Sequence, residues 1–201
     1  MSANVGHFRD LQLVVRPLIA FRDYHSTTHE NASLNSHVEL AVGRVFFQPY
    51  DSLPGLHLAH SDGSVDPHGA WYRNVEYEEE RKRGLDFHQD LYNPCAVRFD
   101  LSQSRQAALT ASLDPRDVAM AAAFEIAERQ RRKSIVAGID DAFTRDLAAA
   151  ADQFIVARGP SNSIIAGYPW FADWGRDTMI ALPGLTLATG RCDETAHALS
   201  Q

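Results

Sequence analysis

The chain contains very little cysteine, only two residues among 201. Cys95 and Cys192 lie far apart and in no metal-ligand spacing, so neither a disulfide framework nor a cysteine zinc site is indicated. Such sparse use of cysteine is typical of proteins in a reducing compartment. We therefore expect the protein to be cytoplasmic.

Long apolar runs and excess positive charge are also lacking. The best apolar stretch, residues 11–21, is interrupted by Arg16 and Pro17, so it does not have the length of a membrane-spanning helix. It also lacks the basic start and the small-residue cleavage site of a signal peptide. The net charge of −7 gives no support to nucleic acid as a partner. No glycine-rich phosphate loop occurs, so no nucleotide cofactor is implied.

The first hundred residues consist of short β-prone runs separated by turn signals. The runs are residues 11–15, 37–42, 45–47 and 96–101, and between them lie turn dipeptides such as Pro54-Gly55 and Asp62-Gly63. Short strands at this spacing are typical of antiparallel sheets. The sequence therefore predicts an antiparallel β-sandwich-like domain in this half.

After Leu101 the composition changes to that of helices. Asp114-Pro115 offers a capping residue followed by proline at the first helical position, which predicts a helix to about Lys133. Apolar residues at helical spacing predict a second helix over residues 141–157. A third helix is predicted over residues 177–188, with a kink at Pro183 and a stop at Gly190.

The segment from Tyr168 to Thr178 has the most unusual composition, YPWFADWGRDT. It combines two carboxylates, one guanidinium and four large aromatic rings. Aromatic faces cover the apolar faces of a sugar ring, while arginine and aspartate hydrogen-bond its hydroxyls. This combination indicates a sugar-binding segment.

Asp173 and Asp177 admit three interpretations. They could be the paired carboxylates of a glycosidase, since helical spacing alone does not exclude the separation that such pairs need. The acid of such a pair must keep its proton near neutral pH, which a neighbouring arginine opposes. A binding clamp is therefore favoured over a catalytic acid, and a simple helix cap remains open for Asp177. The two tryptophans of this segment could likewise be core residues.

Three histidines, His57, His60 and His68, lie close together in the sequence. Three histidines could ligate a metal, but no cysteine or carboxylate spacing completes a zinc pattern. We expect them to be surface residues, and the sequence implies no metal.

Three blocks of the sequence occur in a specific order: residues 16–25 (RPLIAFRDYH), residues 71–77 (WYRNVEY) with their continuation to Leu91, and residues 166–185 (AGYPWFADWGRDTMIALPGL). Together these blocks resemble prokaryotic glycogen debranching enzymes of the amylo-α-1,6-glucosidase type. The resemblance implies hydrolysis of the α-1,6-linked glucose at glycogen branch points, without a cofactor, and glycogen or a branched α-glucan as the partner.

The same resemblance implies a mixed fold, with an N-terminal antiparallel β-domain followed by the first helices of an (α/α)6 barrel. It predicts the β-domain over residues 1–105, a helical linker over 106–138 and the start of the barrel over 139–201. It also implies that six residues bind the terminal glucose: Tyr168, Trp170, Asp173, Trp174, Arg176 and Asp177. In this set Arg176 and Asp177 bind the hydroxyls of the glucose, and the two tryptophans form the walls of the binding pocket. Asp173 and Tyr168 support the pocket.

The chain differs from the family in extent. We expect it to be an internal piece of a longer enzyme, with the general acid and base beyond residue 201. Helices without their partners should expose apolar faces and promote self-association. Two alternatives remain open, namely another (α/α)6 glycosidase, such as a trehalase-like or mannosylglycerate hydrolase-like enzyme, and a non-catalytic glucan-binding module.

Overall fold

The computed structural model describes residues 11–23, 25–102, 105–168 and 170–191. The chain divides into two compact units, Met1–Ala123 and Phe124–Gln201, here called the first and second unit. Within the described residues, no helix combines the length and the apolar character that crossing a membrane requires.

The described part of the first unit is built mainly from short strands. Their bounds are β1 Gln12–Val15, β2 Val38–Ala41, β3 Arg44–Phe47, β4 Leu56–His60, β5 Gly63–Asp66, β6 Ala70–Glu76, β7 His88–Asn93, β8 Ala96–Asp100 and β9 Leu109–Ser112, with helix α1, Glu78–Lys82, between β6 and β7. They form a four-stranded sheet in the order β2-β3-β4-β9, a three-stranded sheet in the order β1-β8-β5, and the hairpin β6-β7. Every pairing is antiparallel, as the sequence predicted.

Side chains from two of these sheets share one core. Val45 and Leu58 come from the four-stranded sheet, and Val97 and Phe99 come from β8. The buried Cys95, which directly precedes β8, also belongs to this core. Val45 and Val97 are at most 1% exposed. Burial raises the pKa of the Cys95 thiol to about 11, so this cysteine is a packing residue rather than a nucleophile.

The first long helix begins later than predicted. Asp117, and not Asp114, caps the start, where its side chain accepts from the Ala119 backbone N–H at 2.9 Å and a short 3₁₀ turn leads into helix α2, Ala121–Ile135. Asp114 instead pairs with Arg116 at 3.4 Å. Residues 106–138, expected as a helical linker, also supply strand β9 to the four-stranded sheet.

In the second unit, helix α3 covers Ala142–Asp152, and Asp141 caps it by accepting from the Thr144 backbone N–H. The predicted helix over residues 141–157 is therefore too long. Its last residues form strand β10, Ile155–Arg158, which pairs with β11, Ser161–Gly167, through a turn at Gly159 (φ +57°). The β-branched Ile155 and Val156 fit this hairpin better than a helix.

The third predicted helix starts two residues earlier and has a different ending. Helix α4 runs over Gly175–Leu182 and passes into a wider π-helical turn, Pro183–Leu187. Proline has no N–H to continue the α-helical ladder, which explains the change at Pro183. The arrangement of helices in an (α/α)6 barrel stays a prediction.

Candidate functional site

The predicted sugar-binding segment spans the end of a sheet and the start of a helix. Strand β12, Phe171–Asp173, pairs with β11, so that Asp173 lies opposite Ile165. Trp174 follows in extended conformation, and α4 begins at Gly175. This order places a carboxylate at the strand end, an aromatic ring at the junction, and Arg176 and Asp177 in the first helical turn.

Asp173 is held in place by two neighbours on the same sheet. Its carboxylate forms an ion pair with Arg158 at the end of β10, and it accepts a hydrogen bond from the Ser163 hydroxyl at 2.8 Å. The Asp173 side chain is 26% exposed, while Ser163 is buried. Asp173 is therefore a fixed, partly accessible anion.

Arg176 and Asp177 are far more open to solvent. Their charged groups lie 4.0 Å apart, and the Arg176 side chain is 79% exposed. The helix-cap interpretation of Asp177 is wrong, because Trp174 occupies the N-cap position and Asp177 lies within the first turn. A carboxylate there still interacts favourably with the helix dipole.

The aromatic residues of the segment are mostly on the surface. Tyr168 and Trp174 are 55% and 54% exposed, and Phe171 is 47% exposed, whereas Trp170 is half-buried. The core interpretation is therefore wrong for Trp174. Pro169 lies outside the described residues. Exposed rings beside charged groups are the parts from which sugar-binding surfaces are made.

Sequence reasoning missed the residues that orient Asp173. Arg158 and Ser163 reach it only because β10, β11 and β12 form one sheet, and residues up to 157 were predicted as helix. The turn signal Gly159-Pro160 between two β-prone runs was the available clue.

A second ionic cluster in this unit was also missed. Asp152, at the end of α3, accepts hydrogen bonds from Arg131 and from Arg191, each at 2.8 Å, and all three line a cleft of about 650 Å³. The Arg131 guanidinium holds the pKa of Asp152 below its ordinary value, and Arg191 adds to this effect. These contacts join α2 to the end of α3 and to Arg191, four residues after the π-helical turn.

The three histidines are not gathered into a metal site. In the described part of the chain, no group of three or more His, Cys, Asp or Glu residues has the arrangement to hold a metal ion. His57 and His60 are three apart on β4 and so point to opposite faces of the sheet. The surface prediction is wrong for His60, which is 5% exposed and shares a hydrogen bond between its Nδ1 and the Ser61 carbonyl at 2.7 Å. His68 is exposed and pairs with Asp66.

Two family models match the chain. The model described as the glycogen debranching enzyme N terminal matches residues 4–108. The model described as amylo-alpha-1,6-glucosidase matches residues 149–201, which include the whole segment from Tyr168 to Thr178. Comparison with curated proteins and comparison with solved structures each gave no match.

Proposed function

Because the chain belongs to the glycogen debranching enzyme family, we propose that it serves the hydrolysis of α-1,6-linked glucose at glycogen branch points. In this proposal the segment from Tyr168 to Asp177 binds the glucose that is removed, and the helices of the second unit belong to an (α/α)6 barrel. The observation that carries the proposal is the junction of β12 and α4, where exposed aromatic and charged side chains flank the fixed carboxylate of Asp173.

Arg176 and Asp177 are the residues that hold the glucose hydroxyls. A guanidinium donates and a carboxylate accepts, so the pair satisfies both hydrogen-bonding roles of vicinal hydroxyls. The Arg176 side chain is extended into solvent with only a 4.0 Å contact to Asp177. It can therefore turn to a ligand without breaking a close ion pair.

Trp174 and Trp170 form the walls against which the apolar face of the sugar packs. Trp174 exposes about half of its surface, and this surface is removed from water when a sugar ring covers it. Tyr168 adds a hydroxyl-bearing ring at the other end of the segment.

Asp173 supports the site and does not donate the proton. Its carboxylate is already engaged by the Arg158 guanidinium and the Ser163 hydroxyl. A general acid needs a group that keeps its proton until the glycosidic oxygen takes it. The acid and the base of the reaction are then carboxylates other than Asp173 and Asp177.

The proposal is tested by titrating the chain with isomaltose, which carries the α-1,6 linkage, in a calorimeter. Replacing Arg176 by alanine should weaken binding about tenfold or more, since a hydrogen bond to a charged group contributes about 1.5–3 kcal/mol. Arg129→Ala is the matched control, because Arg129 is an exposed arginine that pairs with Glu125 on α2, outside the segment. This control should bind isomaltose like the parent chain.

Equal affinity of the parent and the Arg176→Ala variant would contradict the binding role. The carboxylate roles have their own test, the release of free glucose from a glycogen limit dextrin. Glucose release by the chain that is abolished in both Asp173→Asn and Asp177→Asn would mean that these two residues carry out the chemistry.

A further inference from the structure

An open groove in the first unit lies far along the chain from the glucose-binding segment. It has a volume of about 1150 Å³. One wall comes from residues 18–23 and 27–31, and the other comes from residues 50–56. We propose that this groove binds a linear stretch of α-1,4-linked glucose, so that the protein holds an outer chain of its substrate at a second place. This inference rests on the proposed function, which makes an α-glucan the ligand.

The first wall is fastened to β7 by contacts on both its backbone and its side chains. Ile19 and Tyr92 exchange backbone hydrogen bonds of 2.9 and 3.1 Å. The Asn93 side chain donates to the Pro17 carbonyl at 2.8 Å, and the Arg22 guanidinium donates to the Gln89 side chain at 2.7 Å. Because Gln89 and Asn93 are fully buried, this wall is fixed to the interior of the unit.

The loop of residues 28–30, which is part of the same wall, is held by the buried carboxylate of Asp90. One oxygen accepts from the Glu30 backbone N–H and the other from the Asn74 backbone N–H, each at 2.9 Å, and the Asp90 N–H donates to the Thr28 carbonyl at 2.7 Å. Asn74 sits at a bulge of the β6-β7 hairpin with φ +57°. One carboxylate thus ties the loop of residues 28–30 to this bulge.

The two sides of the groove are also joined by polar side chains. The Asn31 amide donates to the Tyr50 hydroxyl at 3.1 Å, and within the second wall Gln48 donates to the Leu53 carbonyl at 2.9 Å. Phe21 and Tyr50 also line a neighbouring cavity of only about 10 Å³, which is at the lower limit for one water molecule. The walls of the groove are therefore fixed by contacts within the unit.

The lining fits a neutral ligand that has many hydroxyls. Hydroxyl and amide groups from Thr27, Thr28 and Asn31 lie beside the rings of Phe21 and Tyr50. The Arg22 guanidinium, the one arginine of the lining, is engaged by Gln89 and by the Asp23 carbonyl. The described lining also contains the Asp23 carboxylate and the His29 imidazole, so it offers a phosphate or an acidic peptide no cluster of cations, whereas a sugar needs only rings, donors and acceptors.

Size and openness favour a chain over a single sugar. Ordinary small-molecule pockets have volumes of about 300–1,000 Å³, and this groove exceeds that range. An open groove of this size has room for several sugar units of an oligosaccharide. An α-1,4-glucan is the oligosaccharide that the proposed function supplies.

The test is calorimetric titration of the full 201-residue chain with maltoheptaose. Ser52 is an exposed lining residue, so Ser52→Arg should obstruct the groove without removing a core contact and weaken binding about tenfold or more. Asn31→Ala removes a lining amide and should weaken binding less. Ser64→Arg is the matched control, since Ser64 is an exposed serine of β5 outside the groove, and it should bind like the parent.

Hydrogen exchange with maltoheptaose present should protect residues 27–31 and 50–54. The proposal is overturned if the parent does not bind maltoheptaose, or if Ser52→Arg binds it as tightly as Ser64→Arg does.

The two proposals can fail separately. Loss of isomaltose affinity in Arg176→Ala, with maltoheptaose affinity unchanged by Ser52→Arg, would retain the first and exclude the second. The reverse pattern would retain the groove and exclude the glucose site.

Discussion

The two units differ most in which side chains they bury. In the first unit the fully buried residues include large ones, with Val45 and Phe47 at 1% exposure and Val97 at 0%. In the second unit several buried residues are small, such as Ala148 and Ala151, while Phe143 and Ile180 are 70% and 75% exposed. Among the described residues the first unit therefore has the larger buried apolar core, although both units also carry exposed apolar side chains, such as Leu40 and Val42 in the first.

A similar contrast holds for the buried carboxylates. Asp90 of the first unit is fixed by backbone N–H groups, whereas Asp152 of the second is fixed by the flexible side chains of Arg131 and Arg191. Main-chain donors hold their positions through the fold, but arginine side chains lose rotamer freedom to make each contact. The first arrangement is the more rigid of the two.

The largest expected effect is a loss of stability when a buried core side chain of the first unit is truncated. Phe47→Ala should destabilise the first unit by about 3–5 kcal/mol, because it removes a fully buried ring and leaves a cavity. Phe47 also stacks on Tyr92 with ring centroids 5.6 Å apart. Urea unfolding of the variant measures the loss.

Phe143→Ala is the matched control for this deletion. Its ring is 70% exposed, so the free energy of unfolding should change by no more than about 0.5 kcal/mol. Similar losses from the two substitutions would contradict the comparison between a closed core and an open one.

The same contrast governs what the sequence could predict. The β-prone runs of residues 45–47 and 96–101 located β3 and β8 to within one residue at each end, because valine and phenylalanine fit the pleated surface of a sheet. The start of α3 was also predicted to within one residue, since the helix was predicted from Asp141 and begins at Ala142. Both features depend on residues that are neighbours in the chain.

Features that depend on distant partners were not predicted. Ile155 continues the apolar spacing of α3, and only its pairing with Ile164 makes it a strand residue. Because β10 was not predicted, there was no reason in the sequence to expect Arg158 to contact Asp173. The groove of the first unit was missed for the same reason, because Asp90 and Tyr92 of β7 hold Glu30 and Ile19 of its first wall from far along the chain. The composition of residues 168–178 could be recognised, but not the exposure of its rings.

The second prediction concerns pH and the carboxylate of Asp90. The backbone N–H groups of Glu30 and Asn74 lower the pKa of Asp90, so its stabilising contribution is complete above about pH 4, the ordinary aspartate pKa. It is lost as the pH falls through the lower folded-state value. Thermal unfolding between pH 6 and 2 should therefore show a loss of stability at acid pH that is smaller in Asp90→Asn.

Asp152→Asn is the comparison that sharpens this prediction. The Arg131 guanidinium lowers the pKa of Asp152, so its contribution also disappears on acidification. Salt should distinguish the two, because the Debye length falls from about 10 Å at 0.1 M to about 3 Å at 1 M. Adding 1 M salt should reduce the cost of Asp152→Asn at pH 7 and leave that of Asp90→Asn unchanged. Equal salt sensitivity would contradict the assigned difference in rigidity.

The smallest expected effect is on association. Phe143 and Leu147 are 70% and 54% exposed, and their spacing of four places them on one face of α3. We expect this face to promote weak self-association, since contiguous apolar surface is removed from water when two copies meet. Replacing both residues by serine should lower the apparent mass in sedimentation velocity at high protein concentration.

Leu40→Ser with Val42→Ser provides the control for that double substitution. Leu40 and Val42 are also exposed, at 50% and 102%, but they belong to the first unit, at strand β2 and the turn that follows it. Removing them should leave the concentration dependence unchanged if the open face of the second unit is what associates. A parent chain that stays monomeric over the whole concentration range would contradict the association, and an equal response of the two double variants would mean that neither unit carries a distinct association surface.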